Sequence, residues 1–464
     1  MTEPTINEAA TAFMLVAASM VLLMTPGLAL FYGGMTRSKS VLNMIMMSFG
    51  ALGVVGVVYV LWGYSMAFGN LQDGSSDIAG LFANPFHLFG LNGVIGPDGS
   101  RLIDVFGVDV FIPEILFVGF QLTFAVITVA LISGAVADRV KFSTWLVFSG
   151  IWATVVYFPI SHMVWGGGIL SGAEGGLSAA IYGATDGVAN VLPIDFAGGT
   201  VVHINAGIAG LVLAVIVGKR FGFGTQAMRP HNVPTVMLGA GLLWFGWFGF
   251  NAGSELAADG LASLVWVNTT AATCAAMLGW LLVEKIRDGH ATTVGGASGV
   301  VAGLVAITPA CGALSPVGSL ILGAVAGALS ALAVGLKYKF GYDDSLDVVG
   351  VHLVAGLWGT IGAGLLATSS GLFYGGGIDQ LVVQILIAVA SLLISGILTA
   401  VIALALKATM GWRVDKDVES DGIDQSEHGE SGYDLGSLTG GRFGSSGAVS
   451  TSAPSAKTHE GASA

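Results

Sequence analysis

The 464-residue chain is 54% hydrophobic and only 10% charged, with a mean hydropathy of +0.81, which excludes an ordinary water-soluble domain. Its net charge of −12 comes with no basic patch, which excludes nucleic acid as a partner, and much of the acidity sits in one tail, with 4 Lys/Arg against 9 Asp/Glu from Gly411 onward. The 71 glycines argue for close packing between helices in a bundle, where small residues let backbones approach.

Apolar runs long enough to span a bilayer as helix recur almost end to end. The first, Ala10 to Phe31, has no Lys or Arg before Arg37 and so lacks the positive n-region of a signal peptide; it is read as a retained first helix. Eleven spans are predicted, at 10–32, 42–69, 112–136, 143–166, 196–218, 233–256, 261–284, 293–311, 317–337, 346–368 and 379–407, the fourth and tenth being interrupted by glycine and polar residues. Loops after odd-numbered spans, with their edges, carry Arg37, Lys39, Arg139, Lys141, Lys219, Arg220, Arg229, Lys285, Arg287, Lys337 and Lys339, and loops after even-numbered spans only Arg101. That bias puts the N-terminus outside and the C-terminus inside, as an odd number of spans requires. The stretch from Gly411 to Tyr433 is patterned enough to be ordered against the cytoplasmic loops. The remainder of the tail, rich in Ser, Gly and Ala, reads as disordered.

One phrase occurs twice: Val202-His203-Ile204-Asn205-Ala206-Gly207 in span five and Val351-His352-Leu353-Val354-Ala355-Gly356 in span ten. These spans run in opposite directions, so the chain reads as an all-α polytopic membrane protein of eleven transmembrane helices, an inverted five-plus-five repeat with one extra helix. His203 lies roughly 12 Å along its helix from Asp195, and His352 roughly 9 Å into its span from the opposite face, at 1.5 Å per residue. Both approach the midplane, where they can meet. Intramembrane ionisable residues usually face a pathway, and two facing neutral imidazoles can share one proton and satisfy each other. The plainer alternative is two packed histidines bonded to backbone carbonyls.

Asp195 and Asp347 stand at the starts of the two histidine helices, where a carboxylate caps backbone N–H groups and shapes the site; direct proton transfer is the lesser reading. The run Trp244 to Ser254 puts Trp247, Phe250 and Ser254 on one face. With Phe124 and Trp165 these rings can attract a small cation or close a narrow pore, or serve simply as interfacial and lipid-facing aromatics. Cys274 and Cys311 fall in apolar segments without disulfide or metal spacing and read as small buried hydrophobes.

Taken together these phrases resemble the ammonium transporter family (Amt/Mep/Rh), on its Amt branch. The resemblance runs from about residue 10 to Tyr433, through TPGLALFYGGM at 25–35, ADRVKFS at 137–143, HMVWGGG at 162–168, DFAGGTVVHINA at 195–206, GWFGFNAGS at 246–254, ITPACG at 307–312 and DVVGVH at 347–352. It implies transport of ammonium, ammonia or methylammonium across the cell membrane by a homotrimer with one pore per subunit, serving nitrogen metabolism, with no cofactor and no enzymatic activity. In this resemblance Trp165 and Ser254, with the ring of Phe124, match the outer recruitment site. Phe124 and Phe250 match the phenyl gate, Trp247 the pore lining, His203 and His352 the twin histidines, and Asp195 the acid essential for transport. Residues 1–409 then form the transporter domain in membrane lipid and 410–433 a cytoplasmic coupling tail, to which Gly411-Trp412-Arg413-Val414 and His428-Gly429-Glu430 belong. A PII-type signalling protein blocks the pores at that face in many bacterial members. Residues 434–464 depart from the pattern. Competing readings are a b-type cytochrome with histidine-ligated haem, a sensor that conducts little, and a channel for neutral carbon dioxide, against which the Trp165 site argues.

Overall fold

The computed structural model describes residues 5–71, 76–96, 99–104 and 110–433. The expected low-complexity tail, 434–464, lies outside the described residues. Among the described residues ten helices are long and apolar enough to cross a membrane: α1 (Glu8–Met35), α2 (Val41–Phe68), α3 (Glu114–Val136), α4 (Phe142–Trp165), α5 (Gly199–Val217), α6 (Val233–Glu255), α7 (Gly260–Asp288), α9 (Pro316–Phe340), α10 (Val349–Leu366) and α11 (Asp379–Thr409), with a shorter apolar helix α8 (Thr293–Ile307) between α7 and α9. A helix satisfies its own backbone in hydrocarbon, which is why apolar runs of this length adopt it. Several starts are set by capping side chains: Asn7, Asn232, Asp259, Thr292 and Ser315 accept the N–H three residues on at 2.9–3.1 Å.

The predicted eighth span, 293–311, is shorter than expected. Pro309 has no N–H to extend the helix, and the freed carbonyls of Thr308 and Pro309 accept from the N–H groups of Ala197 (3.2 Å) and Phe196 (3.0 Å) instead. The fourth and tenth spans, interrupted in sequence, are helical throughout, each with one π-helical turn, at Ala153–Tyr157 and Val349–Val354. A matching turn at Gly199–Ile204 opens α5.

α5 and α10 run antiparallel. The chain entering α5 binds the end of α4, through the Trp165 indole N–H to the Asp195 carbonyl at 2.9 Å. The chain entering α10 binds the end of α3, through the Leu346 N–H to Gly134 O at 3.0 Å. Since α3 and α4 are consecutive, these are opposite ends of the bundle. The two helices cross at the repeated phrase, and its glycines make the crossing possible. A Cβ on Gly207 would stand 2.6 Å from Leu353 Cα, and one on Gly356 would stand 3.1 Å from His203 Cβ. Each glycine lies against the backbone or Cβ of the other copy of the phrase.

Side chains add to the backbone bonds of the π-turn of α5 and the residue after it. Ser391 and Ser395 of α11 donate to Thr200 O (3.1 Å) and Asn205 O (3.0 Å), and Asn205 Nδ2 donates to Val201 O at 3.0 Å. α11 thus braces the turn that carries His203.

The tail folds back on the loops after α1, α3 and α5. Trp412 donates to Ala403 O at 2.9 Å, and two short helices follow, α12 (Lys416–Asp421) and α13 (Asp424–His428). Asp424 accepts from Leu42 and Asn43 N–H (3.0 and 2.8 Å) at the start of α2, and Glu427 from Phe142 N–H (2.7 Å) at the start of α4. Both carboxylates sit where helix N-termini present orphan donors. Burial pushes the Asp424 carboxyl up, against the pull of those two N–H groups. Order between Gly411 and Tyr433, expected from sequence, is therefore carried by charge-assisted bonds to backbone.

Replacing Gly207 with alanine should cost about 1–3 kcal/mol through overpacking at the crossing and lower the unfolding midpoint of the purified protein, whereas Gly53→Ala, within a helix and with nothing within 4 Å of the added carbon, should hold or raise it. Equal midpoints for the two variants would contradict the close crossing.

Candidate functional site

The crossing brings the two imidazoles together. His203 Nδ1 and His352 Nδ1 are 3.4 Å apart, with ring centroids 5.5 Å apart and planes 23° from parallel. Both rings are buried, at 1% and 2% exposure. Two nitrogens at that distance need one donor and one acceptor, so at most one of the facing Nδ1 atoms carries a hydrogen. His203 Nε2 has no hydrogen-bond partner among the described residues. A narrow cavity beside the pair is walled by Met24, Leu28, Ile127, Leu131, Leu243 and Val301 among others, and the two imidazoles border it.

Aromatic rings continue the line from the histidines. Trp247 stacks on His203 at 5.4 Å, and Phe250 lies 6.2 Å from the same imidazole. Phe250 stacks on Phe124 at 4.0 Å and 18°, and Phe124 meets Trp165 edge-on at 6.0 Å. Phe124, Phe250 and Trp247 are buried, whereas Trp165 is partly exposed. The line therefore starts at an accessible indole, passes a face-to-face phenyl pair and ends at the histidines. Ser254 stands one turn beyond Phe250, and its hydroxyl donates to Phe250 O at 2.8 Å, which leaves its lone pairs as the free acceptors.

Trp247 cannot leave its indole N–H unpaired in this interior. It donates to Thr308 Oγ1 at 2.8 Å. The Thr308 hydroxyl in turn reaches Leu304 O at 2.8 Å and Asn251 Oδ1 at 3.3 Å, and Asn251 Nδ2 donates to Thr269 Oγ1 at 3.0 Å. Thr308 belongs to the turn that ends α8, so the shortened helix is what supplies the hydroxyl. Nothing in the spacing of ITPACG signalled that role.

Asp195 is bound by its own turn. Its carboxylate accepts from the N–H groups of Gly198 (3.1 Å), Thr200 (3.0 Å) and Val201 (3.2 Å), and also from the Gly199 N–H and the Thr200 hydroxyl. A carboxylate offers about four lone-pair sites, so this one is fully engaged as the cap of the π-turn that carries His203. Asp347 has no such part, contrary to the sequence reading. It lies in the left-handed region at φ +64° and accepts from Lys337 Nζ at 2.7 Å. The cap of the His352 turn is Asp344, which accepts from Val348 N–H (3.1 Å) and Val349 N–H (2.7 Å). Burial, with the Asp347 charge beside it, pushes the Asp344 carboxyl up. The signal was present: Asp195 to Asp344 is the same 149-residue step as His203 to His352.

Thr308→Val, which keeps the shape and removes the hydroxyl, should cost about 1–3 kcal/mol by orphaning the Trp247 N–H, read as a lower unfolding midpoint that Thr308→Ser restores. A serine variant no better than the valine one would contradict the role given to the hydroxyl.

The model of the Ammonium Transporter Family matches residues 12–433. An ammonium transporter of Mycobacterium tuberculosis is 55% identical over 450 residues, covering 93% of this chain and 91% of the relative. The solved structure of a sensor Amt protein superposes with a TM-score of 0.77 at 26% identity over 90% of this chain and 98% of that one, and Mep2 of Saccharomyces cerevisiae with 0.75 at 30% identity over 89% and 92%. A match of this extent, on a bundle of membrane-length helices, places the chain in the Ammonium Transporter Family, a family of multi-pass membrane transporters and not of enzymes.

Proposed function

We propose that the chain carries ammonium across the cell membrane by collecting the cation, removing its proton and conducting neutral ammonia. The observation that carries this reading is the unpartnered His203 Nε2 beside an apolar cavity next to the stacked Phe124–Phe250 pair. At neutral pH the substrate is almost entirely cationic, so it must first be held where it is still charged. The accessible indole of Trp165, the ring of Phe124 and the lone pairs of Ser254 supply aromatic faces and an acceptor for that purpose. Beyond Phe250 the apolar walls penalise any ion that keeps its full charge. Potassium cannot shed its charge and is refused; ammonium can leave its proton with water at the accessible outer site beside Trp165, and the neutral molecule passes the phenyl pair and bonds to the imidazoles of His203 and His352. Asp195 acts by holding the turn that presents His203, since its oxygens are occupied by backbone donors.

The same proposal counts α8 as an eighth span, giving eleven, with the N-terminus outside and the tail at 410–433 inside. Its support is the 11-to-1 distribution of Lys and Arg and the contact of the tail with the loops after α1, α3 and α5. Residues 1–409 are then the transporter domain. Subunits assemble as a homotrimer with one pore each, and the ordered tail is the element through which neighbouring subunits and a PII-type signalling protein act on the pore. The structural likeness to a sensor Amt protein favours one second reading, a receptor that signals through this tail and conducts little.

In cells lacking their own ammonium transporters, His203→Ala and Asp195→Ala should abolish methylammonium uptake at unchanged protein level. Full uptake by both would sink the assigned site. Phe250→Ala should fold but conduct at an altered rate, and a flux equal to the parent removes its gating part. Absence of ammonium-driven flux in proteoliposomes of the parent would favour the sensor.

A further inference from the structure

Trp165 ends α4, and the three residues after it, Gly166 to Gly168, have no side chains with which to hold its ring in place. The indole N–H is held by the Asp195 carbonyl, and a fully buried imidazole one turn earlier anchors the backbone turn that carries the ring. His162 Nδ1 lies 3.1 Å from the Ala67 carbonyl oxygen in α2, and His162 Nε2 lies 2.7 Å from Asp77 Oδ1. Both partners only accept, so the ring carries an N–H on each nitrogen when both bonds are made, and the Asp77 bond is charge-assisted. Asp77 starts β1 (Asp77–Ile78), which pairs with β2 (Phe82–Ala83) through a tight turn. The second oxygen of Asp77 accepts the Gly80 N–H of that turn at 3.0 Å.

The hairpin grips the glycine segment directly. Gly80 O accepts from the Ile169 N–H at 2.9 Å, and Asn70 Nδ2 donates to Gly166 O at 2.8 Å. The Gly166 and Gly168 N–H groups both turn back to the His162 carbonyl, at 2.9 and 3.1 Å. A Cβ on Gly166 would stand 2.8 Å from His162 Nδ1, and one on Gly168 would stand 3.0 Å from His162 Cδ2, so the turn wraps the imidazole too closely for any side chain. One ring therefore joins the end of α2, the β1–β2 hairpin and the last turn of α4. Neither His162 nor Asp77 is among the residues that line the cavity at the twin histidines.

We infer that His162 and Asp77 are positioning residues for Trp165: their bond fixes where the indole stands against Phe124, and so how tightly the cation is collected, without touching the cation. The inference rests on the recruitment reading of Trp165. Facing His162 are the Asp77 carboxylate and the Ala67 carbonyl. The other titratable groups on elements packed against this turn are engaged elsewhere or turned away, Tyr64 to Glu114 at 2.7 Å and His203 to His352. Tyr157, on the π-turn before it, meets Phe158 edge-on.

The test is a concentration series of methylammonium uptake by the full chain in transporter-null cells, with membrane protein level measured alongside. Asp77 is the residue to change, since its side chain is one-third exposed and its loss leaves no cavity. Asp77→Ala should raise the half-saturating concentration about tenfold, as the loss of a charge-assisted bond does, at unchanged maximal rate. Asp77→Asn, which keeps an oxygen for the His162 N–H, should recover most of that loss. Parental half-saturation in Asp77→Ala, or a fall in maximal rate alone, overturns the inference while leaving the recruitment site standing. Parental half-saturation in Trp165→Leu overturns the recruitment reading and the inference with it.

Discussion

How closely α5 and α10 cross sets how the two imidazoles and the rings beside them meet. Two backbones carrying imidazoles have to approach until Nδ1 meets Nδ1 at 3.4 Å, and Gly207 and Gly356 are what allow it. That approach is not available to two regular helices without penalty, because the turns that present the histidines are π-helical and leave carbonyls without their usual partners. In a membrane no water can make up the difference. The partners come from within: Ser391 and Ser395 on α11, the Asn205 amide, and the Asp195 and Asp344 carboxylates at the open ends of the two turns.

The same economy orders the aromatic rings. An indole or imidazole in a dry interior has to place its N–H, and where it does so determines where its face points. Trp247 is pinned by Thr308 and thereby stacked on His203, and Trp165 is pinned by the Asp195 carbonyl and thereby set against Phe124. Phe124 and Phe250 have no polar handle and are held by packing alone. Asp195 serves both ends of this line, its carbonyl receiving the Trp165 N–H and its carboxylate capping the His203 turn.

Most of the bundle was legible in the sequence because hydrocarbon imposes a simple rule on backbone, and the helix ends agree with the predicted spans to within a few residues. The residues of the aromatic and histidine line were legible too, the histidines from their repeated phrase and the rings from the family resemblance. What escaped was whatever depends on a turn. Asp347 looked like the cap of α10 because it directly precedes the apolar run, yet the π-turn shifts the cap back to Asp344. Thr308 looked like the interior of a span, yet it ends α8 just before Pro309, and its hydroxyl accepts the Trp247 N–H. The tail's grip on α2 and α4 was readable only as order, since carboxylates in an acidic segment do not announce which helix ends they will cap.

The proposed path depends on a neutral imidazole pair, His203 and His352, with one hydrogen shared between their Nδ1 atoms. Nitrogen-15 solid-state NMR of histidine-labelled protein in lipid, assigned by single-histidine variants, reads it directly. Near neutral pH one ring of the pair should carry its hydrogen at Nδ1 and the other at Nε2. Two rings both bare at Nδ1, or a ring protonated at both nitrogens, would contradict it.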